Sequence, residues 1–334
     1  MANVFQNKSI LVTGGTGSIG SEIVRKVLQY EPKVVRVLSN DENGLFNLKQ
    51  ELRGCRSNVR FLVGDIRGKE RLRRAVEGID FVFHAAALKH VPLCEHNPFE
   101  AVKTNVLGTQ NLIEVAMDEE VEKLITISTD KAVSPINVMG ATKLLAERLT
   151  VSANYYKGER ETVFSCVRFG NVLGSRGSVV PLFREQIEKG GPITVTDPNM
   201  TRFVMSIRGA TDLVLKAVEM SRGGEVFIFK MPAMRIGDVA QVMIEELAPK
   251  YGYKPKDITV KVTGSRSGEK HDEELMTREE AEGACETEDM FVVVPDEGAE
   301  DYPGAKRLPR AKNYSSGDET LLTKEELKIL LASL

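Results

Sequence analysis

The residues with chemistry to offer gather where short apolar runs end. Ser128-Thr129-Asp130-Lys131 follows the run Leu124–Ile127 and sets a carboxyl beside an amine, two residue types that serve general acid and base catalysis. Beyond them, Met139 and Lys143 stand four apart, on one face of a helix that the spacing opens near Asn137. Earlier, the run Ser9–Val12 leads into Thr13-Gly14-Gly15-Thr16-Gly17-Ser18-Ile19-Gly20 and straight on into an amphipathic stretch. Glycines at 14, 17 and 20 allow a tight turn and a close backbone approach, and the amides of a following helix receive an anion. Between a strand and a helix this is the pattern of a dinucleotide pyrophosphate site.

Two further strand ends belong to the same site. Ser39-Asn40-Asp41-Glu42 follows the second apolar run, beside the expected adenosine ribose. Ser39 and Asn40 are neutral donors that tolerate a 2′-phosphate, but no arginine is adjacent in sequence to clamp it. Local chemistry leaves NADP and NAD balanced. Asp65-Ile66 follows the third run, where the carboxylate is placed to accept from an adenine amino group.

The elements that must position these residues alternate. Val34–Leu38, Arg60–Val63 and Phe81–Phe83 join the two runs above as strand-length segments whose continuous apolar character suits burial on both faces. Ser21–Gln29, Glu42–Leu52 and Glu100–Ala116 read as helices between them. The fold class is therefore α/β: a doubly wound parallel-sheet Rossmann domain over residues 1–170, with 203–222 returning to it through the helical stretch Ile207–Met220. Residues 171–334, punctuated by proline and glycine, read as a smaller mixed α/β substrate lobe and tail. Within them 295–318 is a polar loop leading to a short helix, Lys324–Leu331.

Bulk properties exclude several classes. The 334 residues are 42% hydrophobic and 28% charged, with a net charge of −3, which argues against a dedicated nucleic-acid binder. No apolar run is long enough to span a membrane, and the N-terminus lacks a signal-peptide pattern. Cys55, Cys94, Cys166 and Cys285 form no CxxC pair and read as free thiols, and the four histidines share no metal-ligand spacing. The expectation is a cytoplasmic protein without a metal. His84 and His90 read as structural, and Cys94 as a buried or half-buried thiol.

The segment around Asn137–Lys143 resembles the extended short-chain dehydrogenases/reductases. More closely, the chain resembles the UDP-N-acetylglucosamine 4,6-dehydratases of surface-polysaccharide synthesis. The segments that carry this are His84–Pro92, Lys103–Thr109, Ser128–Lys143, Phe169–Ser178, Asp197–Phe203 and Gly264–Lys270, in the expected order from about residue 5 to 280. The resemblance implies a tightly bound NADP, with NAD the alternative, set on Gly14, Thr16, Gly17, Ser18, Ile19, Gly20, Ser39, Asn40, Asp65, Ile66, Ala85, Ala86 and Lys143. It also implies a homo-oligomer, a dimer or hexamer. Asn171, Arg202 and Arg266 match positions that contact the nucleotide or diphosphate; Glu269 matches the uridine ribose and Lys89 the sugar. The usual catalytic tyrosine is replaced by Met139, whose thioether neither takes nor gives a proton.

The implied reaction is a lyase reaction, internally redox-neutral, on UDP-N-acetylglucosamine. Hydride leaves sugar carbon 4, a base removes the carbon 5 hydrogen, an acid helps hydroxide leave carbon 6, and hydride returns there. Lys131 is the expected base and Asp130 the expected acid, which requires a neutral Lys131, favoured by nearby Lys143, and a protonated Asp130. Lys143 is expected at the nicotinamide ribose and Thr129 at the sugar; Thr129 or Lys131 relays the carbon 4 hydroxyl proton. Configuration at carbon 5 stays open. A UDP-sugar 4-epimerase shares fold and cofactor but needs the tyrosine and no Asp-Lys pair. A non-catalytic NAD(P)-binding regulator leaves Asp130, Lys131 and Lys143 without a reason.

Overall fold

In the computed structural model, which describes residues 3–54, 58–294, 302 and 304–332, six strands stand in the order 3-2-1-4-5-6. They are β1 (Ser9–Thr13), β2 (Val34–Ser39), β3 (Val59–Val63), β4 (Phe81–His84), β5 (Lys123–Thr129) and β6 (Val163–Phe169). All pair in parallel. This is the Rossmann order, and the direction of winding reverses between β1 and β4. There the loops after both strands diverge and leave a crevice at the carboxyl ends.

Strand burial follows from apolar content. β1 is buried along its whole length, and so is β4. β3 departs from the expectation of a strand covered on both faces: it is the sheet's edge, half-buried, with Val63 58% exposed. On the other side the sheet continues through Val226–Phe229, parallel to β6, and then through the antiparallel Met290–Val293, Ala284–Glu286 and Lys306–Arg307. Residues 306–307, like Tyr314–Ser315, which pairs with Glu274–Met276, fall in the stretch expected to be a polar loop. Backbone pairing to long-range partners organises them, a contact that their composition does not announce. The terminal helix runs Lys324–Ala332.

Helix α1 (Ser18–Val27) buries Ile23, Val24 and Val27 and packs against Ile207–Met220, so that helix lies on the sheet. Each fully buried side chain of this kind stabilises by about 1.5–3 kcal/mol. A separate apolar cluster, including Val180, Phe183, Ile187, Val239 and Met243, forms beyond the sheet from the helices Val179–Glu188 and Ile236–Leu247. The expected helix Glu100–Ala116 is instead interrupted. A short helix at Pro98–Ala101 passes through a π turn, Val102–Leu107, into Gly108–Asp118. Within the π turn Asn105 is buried, and its side chain bonds the Leu88 N–H and carbonyl at 2.8 and 2.9 Å and Thr142 at 3.0 Å. The widened turn thereby holds the loop after β4 in place.

Candidate active site

One groove runs across the carboxyl ends of the strands in three joined sections. The first, about 450 Å³, is lined by Thr16, Ser39, Asn40, Asp65, Ile66 and Ala86, among others. Gly14, Gly17 and Ala85 also border the second, about 490 Å³, whose walls include Ser18, Ile19, Gly20, Lys89, Thr129, Asp130, Met139 and Lys143. Lys131 and Asn171 border both this section and a third of about 240 Å³ that holds Arg202, Arg266 and Glu269. Every site residue expected from the sequence lines this groove.

The glycine turn fits a dinucleotide. A Cβ on Gly14 would stand 2.6 Å from the Ala86 nitrogen, and one on Gly20 would stand 2.3 Å from the Gly14 carbonyl oxygen. Backbone is packed on backbone here, and Gly17 begins α1 with no side-chain cap, so the first-turn amides face the groove free for an anion.

At the adenosine end, Ser39 lines the pocket, but its hydroxyl pairs with Thr16 at 2.8 Å and accepts from the Asp41 N–H at 3.1 Å. Asp65 accepts from the Arg67 guanidinium at 2.6 Å, and this hydrogen bond holds its carboxyl below the usual carboxylate range. No arginine adjoins Asn40 in sequence, but two arginines from elsewhere in the chain stand near it in space. Arg67 enters from the turn after β3, and Arg176 reaches the Thr16 carbonyl and stands 3.8 Å from Asp41.

β4 delivers His84 into the core, not the groove. Its Nδ1 faces Thr13 Oγ1 at 2.8 Å and its Nε2 faces Thr109 Oγ1 at 2.9 Å. Thr109 already donates to the Asn105 carbonyl, so Nε2 carries the proton and Nδ1 accepts. Burial, helped by the Lys143 charge, pulls the imidazole down to about 3. A histidine neutral in the fold but free to protonate when unfolded weakens the fold in acid, from pH 6.5 down to about 3. Between pH 7 and 5 the loss from His84 is about 2 kcal/mol. Urea titrations at the two pH values are expected to show that slope, and His84→Asn to flatten it; an unchanged slope would exonerate His84.

The helix Val138–Tyr156 opens at Asn137, whose side chain accepts from the Gly140 N–H, as the sequence led one to expect. It buries Met139 against Cys94 and Ala101 while leaving one edge of Met139 at the groove. Cys94, Cys166 and Cys285 are free and buried; Cys55 lies outside the described residues. Lys143 donates to the Ile127 carbonyl at 2.6 Å, and burial lowers its pKa.

At the end of β5, Asp130 is 0% exposed and accepts from Thr129 at 2.8 Å and from Lys131 Nζ at 3.0 Å. Lys131, with 26% of its side chain accessible, also lies 3.2 Å from Glu273. This overturns the expected neutral amine. Burial does pull Lys131 down, but the Asp130 and Glu273 carboxylates outweigh it and hold the ammonium above its ordinary range. The opposing cation is Arg202 and not Lys143.

Sequence reasoning missed Glu273 because nothing local marks it. Its segment is held by Arg168, a fully buried guanidinium on β6 that donates to the Leu275 carbonyl, to Glu280 and to Glu147. In the third section, Arg202 donates to the backbone carbonyls of Thr201, Lys270 and His271 and pairs with Glu269 at 3.5 Å. Arg266 is exposed on the rim, and Lys89 donates to the Arg176 carbonyl. Among the described residues no cluster of three or more metal-ligating side chains occurs, and no helix is long and apolar enough to cross a membrane.

Comparison with known proteins agrees with this architecture. Residues 10–295 match the family model described as polysaccharide biosynthesis protein. The chain is 62% identical to an uncharacterised membrane protein of Methanocaldococcus jannaschii, over 99% of this chain and 97% of that one. It is 39% identical to a UDP-glucose 4-epimerase of Rickettsia akari, again over 99% and 97%. The X-ray structure of Pen from Bacillus thuringiensis superposes with a TM-score of 0.92 at 48% identity, covering 99% of this chain and 98% of that chain. A family match over most of the length, on a sheet wound 3-2-1-4-5-6, makes this chain a member of the polysaccharide biosynthesis protein family, built on the extended short-chain dehydrogenase/reductase fold.

Proposed function

We propose that this protein is a nucleotide-sugar 4,6-dehydratase that converts UDP-N-acetylglucosamine to a UDP-4-keto-6-deoxy-N-acetylhexosamine for surface-polysaccharide or glycan synthesis. The observation that carries the proposal is the buried carboxyl of Asp130, 3.0 Å from the Lys131 ammonium on the groove floor, beside a Met139 that has no proton to exchange. Dehydration across carbons 5 and 6 needs an acid and a base on one sugar, held by rigid elements.

NADP is the proposed nucleotide, held by the glycine turn, the α1 amides and Lys143, with Arg67, paired with Asp65 and Glu100, and Arg176, bonded to the Thr16 carbonyl, near the proposed adenosine end. The chemistry a bound nicotinamide supplies here is a hydride acceptor at sugar carbon 4 and the return of that hydride at carbon 6. The chain's own residues handle protons. Two leave the sugar, one from the carbon 4 hydroxyl and one from carbon 5. One departs with the carbon 6 hydroxyl as water, and one returns to carbon 5. Passage of the Lys131 proton to Asp130 Oδ1 creates both forms that dehydration needs at once, a neutral amine to take the carbon 5 proton and a carboxylic acid to protonate the departing hydroxyl. Thr129 is proposed to bond the sugar, and Asn171, Arg202, Arg266, Glu269 and Lys89 to hold the UDP-sugar.

The test is incubation with UDP-N-acetylglucosamine in deuterated water, followed by proton NMR. A carbon 6 methyl beside a 4-keto group, without accumulation of reduced cofactor, is expected. A galacto-configured sugar with its hydroxymethyl intact would instead establish the epimerase that the Rickettsia relative's name suggests. Epimerisation at carbon 4 leaves the Asp130–Lys131 pair without work, which is why the dehydratase is preferred. Cofactor retention tests the glycine turn separately. Gly20→Ala drives a methyl into the Gly14 carbonyl, and losing one amide bond to a charged phosphate, about 1.5–3 kcal/mol, weakens NADP by at least roughly tenfold in a binding titration.

A further inference from the structure

Lys131 does not face Asp130 alone. Glu273, brought in by the segment leading to the short strand Glu274–Met276, approaches the same ammonium at 3.2 Å. Both carboxyls are buried, at 0% and 3% exposed, and each has an oxygen with no partner, Asp130 Oδ2 and Glu273 Oε2. Two carboxylates about one ammonium leave a net negative charge in a poorly solvated place, and like charges this close do not both stay ionised. An unpartnered carboxyl oxygen is where a proton sits at least cost.

The surrounding groups do not remove that charge. Arg202 comes no nearer to Glu273 than 3.9 Å and is committed to three backbone carbonyls and Glu269. Lys270 donates to the Val133 carbonyl, while His271 and Asp272 pair with each other. Arg266 lies exposed at the rim.

We propose that Glu273 is a proton-holding, positioning partner of Asp130 and Lys131: it carries a proton of its own, so that the proton between Lys131 and Asp130 is free to sit on either. This rests on the dehydratase reading for its purpose, though not for its detection. With Glu273 protonated the three groups are together neutral, and transfer from Lys131 Nζ to Asp130 Oδ1 moves one proton between adjacent atoms with no charge left over. With Glu273 ionised, a second carboxylate holds the ammonium and the base form of Lys131 is suppressed. Because Met139 offers no proton, the reacting protons have these three groups to rest on. Burial, with Asp130 adding to it against the pull of Lys131, raises the Glu273 carboxyl, in keeping with the geometry.

The sign follows from that: a raised carboxyl keeps its proton below its titration and loses it as pH rises, so activity falls on the alkaline side. The test compares the cofactor-loaded protein with Glu273→Gln, which mimics the protonated acid, and Glu273→Asp, which keeps a titrating group. Infrared spectra are expected to show a protonated carboxylic-acid band in the unaltered protein near neutral pH that is absent from Glu273→Gln. In turnover of UDP-N-acetylglucosamine, kcat should fall about tenfold per pH unit on the alkaline limb. That limb should vanish in Glu273→Gln and reappear in Glu273→Asp, with KM moving less than about threefold.

A band that survives Glu273→Gln, or an alkaline limb unchanged by it, overturns the proposal. If Glu273→Gln fails to fold, the comparison passes to Glu273→Asp, whose band and limb must both shift in pH; no shift overturns it equally. The infrared result stands apart from turnover. A band lost in Glu273→Gln from a protein that leaves the sugar unchanged supports the proton on Glu273 and removes the dehydratase, whereas dehydration with an unmoved band removes Glu273 alone.

Discussion

Lys131→Ala is expected to lower dehydration by roughly 10²–10⁴-fold, the usual worth of a positioned acid or base, while NADP stays bound. Lys131 and the cofactor turn border the same section of the groove, but the turn is built of backbone while the Lys131 ammonium is paired with Asp130 and Glu273, so the alanine leaves the pyrophosphate cradle in place. It does leave Asp130 and Glu273 buried without their ammonium. Removing one partner of a buried ion pair leaves Asp130 uncompensated, and the melting temperature is expected to fall. Initial rates by product NMR, with absorbance of the retained cofactor, check the first part. Normal turnover in the alanine variant would remove Lys131 and the proton exchange with Asp130 from the chemistry.

The second large effect is on stability. Arg168→Leu is expected to cost about 3–5 kcal/mol at neutral pH, read as a shift in urea midpoint, because it strands Glu147 and Glu280 as uncompensated charges. Burial pushes the Glu280 carboxyl up, but hydrogen bonding and charge from Arg168 outweigh it and hold the group below its ordinary range. A carboxyl depressed in the fold contributes stability above its unfolded pKa and loses it as pH falls through the folded one. The difference between parent and variant therefore narrows in acid. Replacing Glu147, Arg168 and Glu280 together by apolar side chains of similar volume should cost far less, since the penalty lies in the orphaned charges. A uniform loss at all pH values would mean that Arg168 acts through packing alone. The same guanidinium bonds the Leu275 carbonyl, so the single variant should also loosen the segment that carries Glu273.

Much of the site lay open in the chain before folding was considered. Short-range rules suffice for the glycine turn, because a strand, a tight turn and a helix N-terminus are all decided by neighbours in sequence. The same holds for the strand end at Asp130 and the helix that begins at Asn137, where a side chain caps the N–H three residues on. The π turn at Val102–Leu107 escaped because no local residue type marks it; it is sustained by Asn105 bridging Leu88 and Thr142. Strands at 306–307 and 314–315 escaped for a like reason, being two-residue pieces that exist only through their partners.

By itself, then, the sequence determined which atoms could react and on which strand ends they stand, since periodicity, turns and caps are properties of adjacent residues. Tertiary structure alone decided what company those atoms keep. It paired Arg67 with Asp65, brought Arg176 to within 3.8 Å of Asp41, tied Arg168 to the segment beyond residue 270, and set Glu273 against Lys131. The proton on a buried amine or carboxyl is governed by charges within a few ångströms, however distant along the chain, and so Lys131, which the local sequence makes a free base, is favoured as an ammonium by the two acids set beside it.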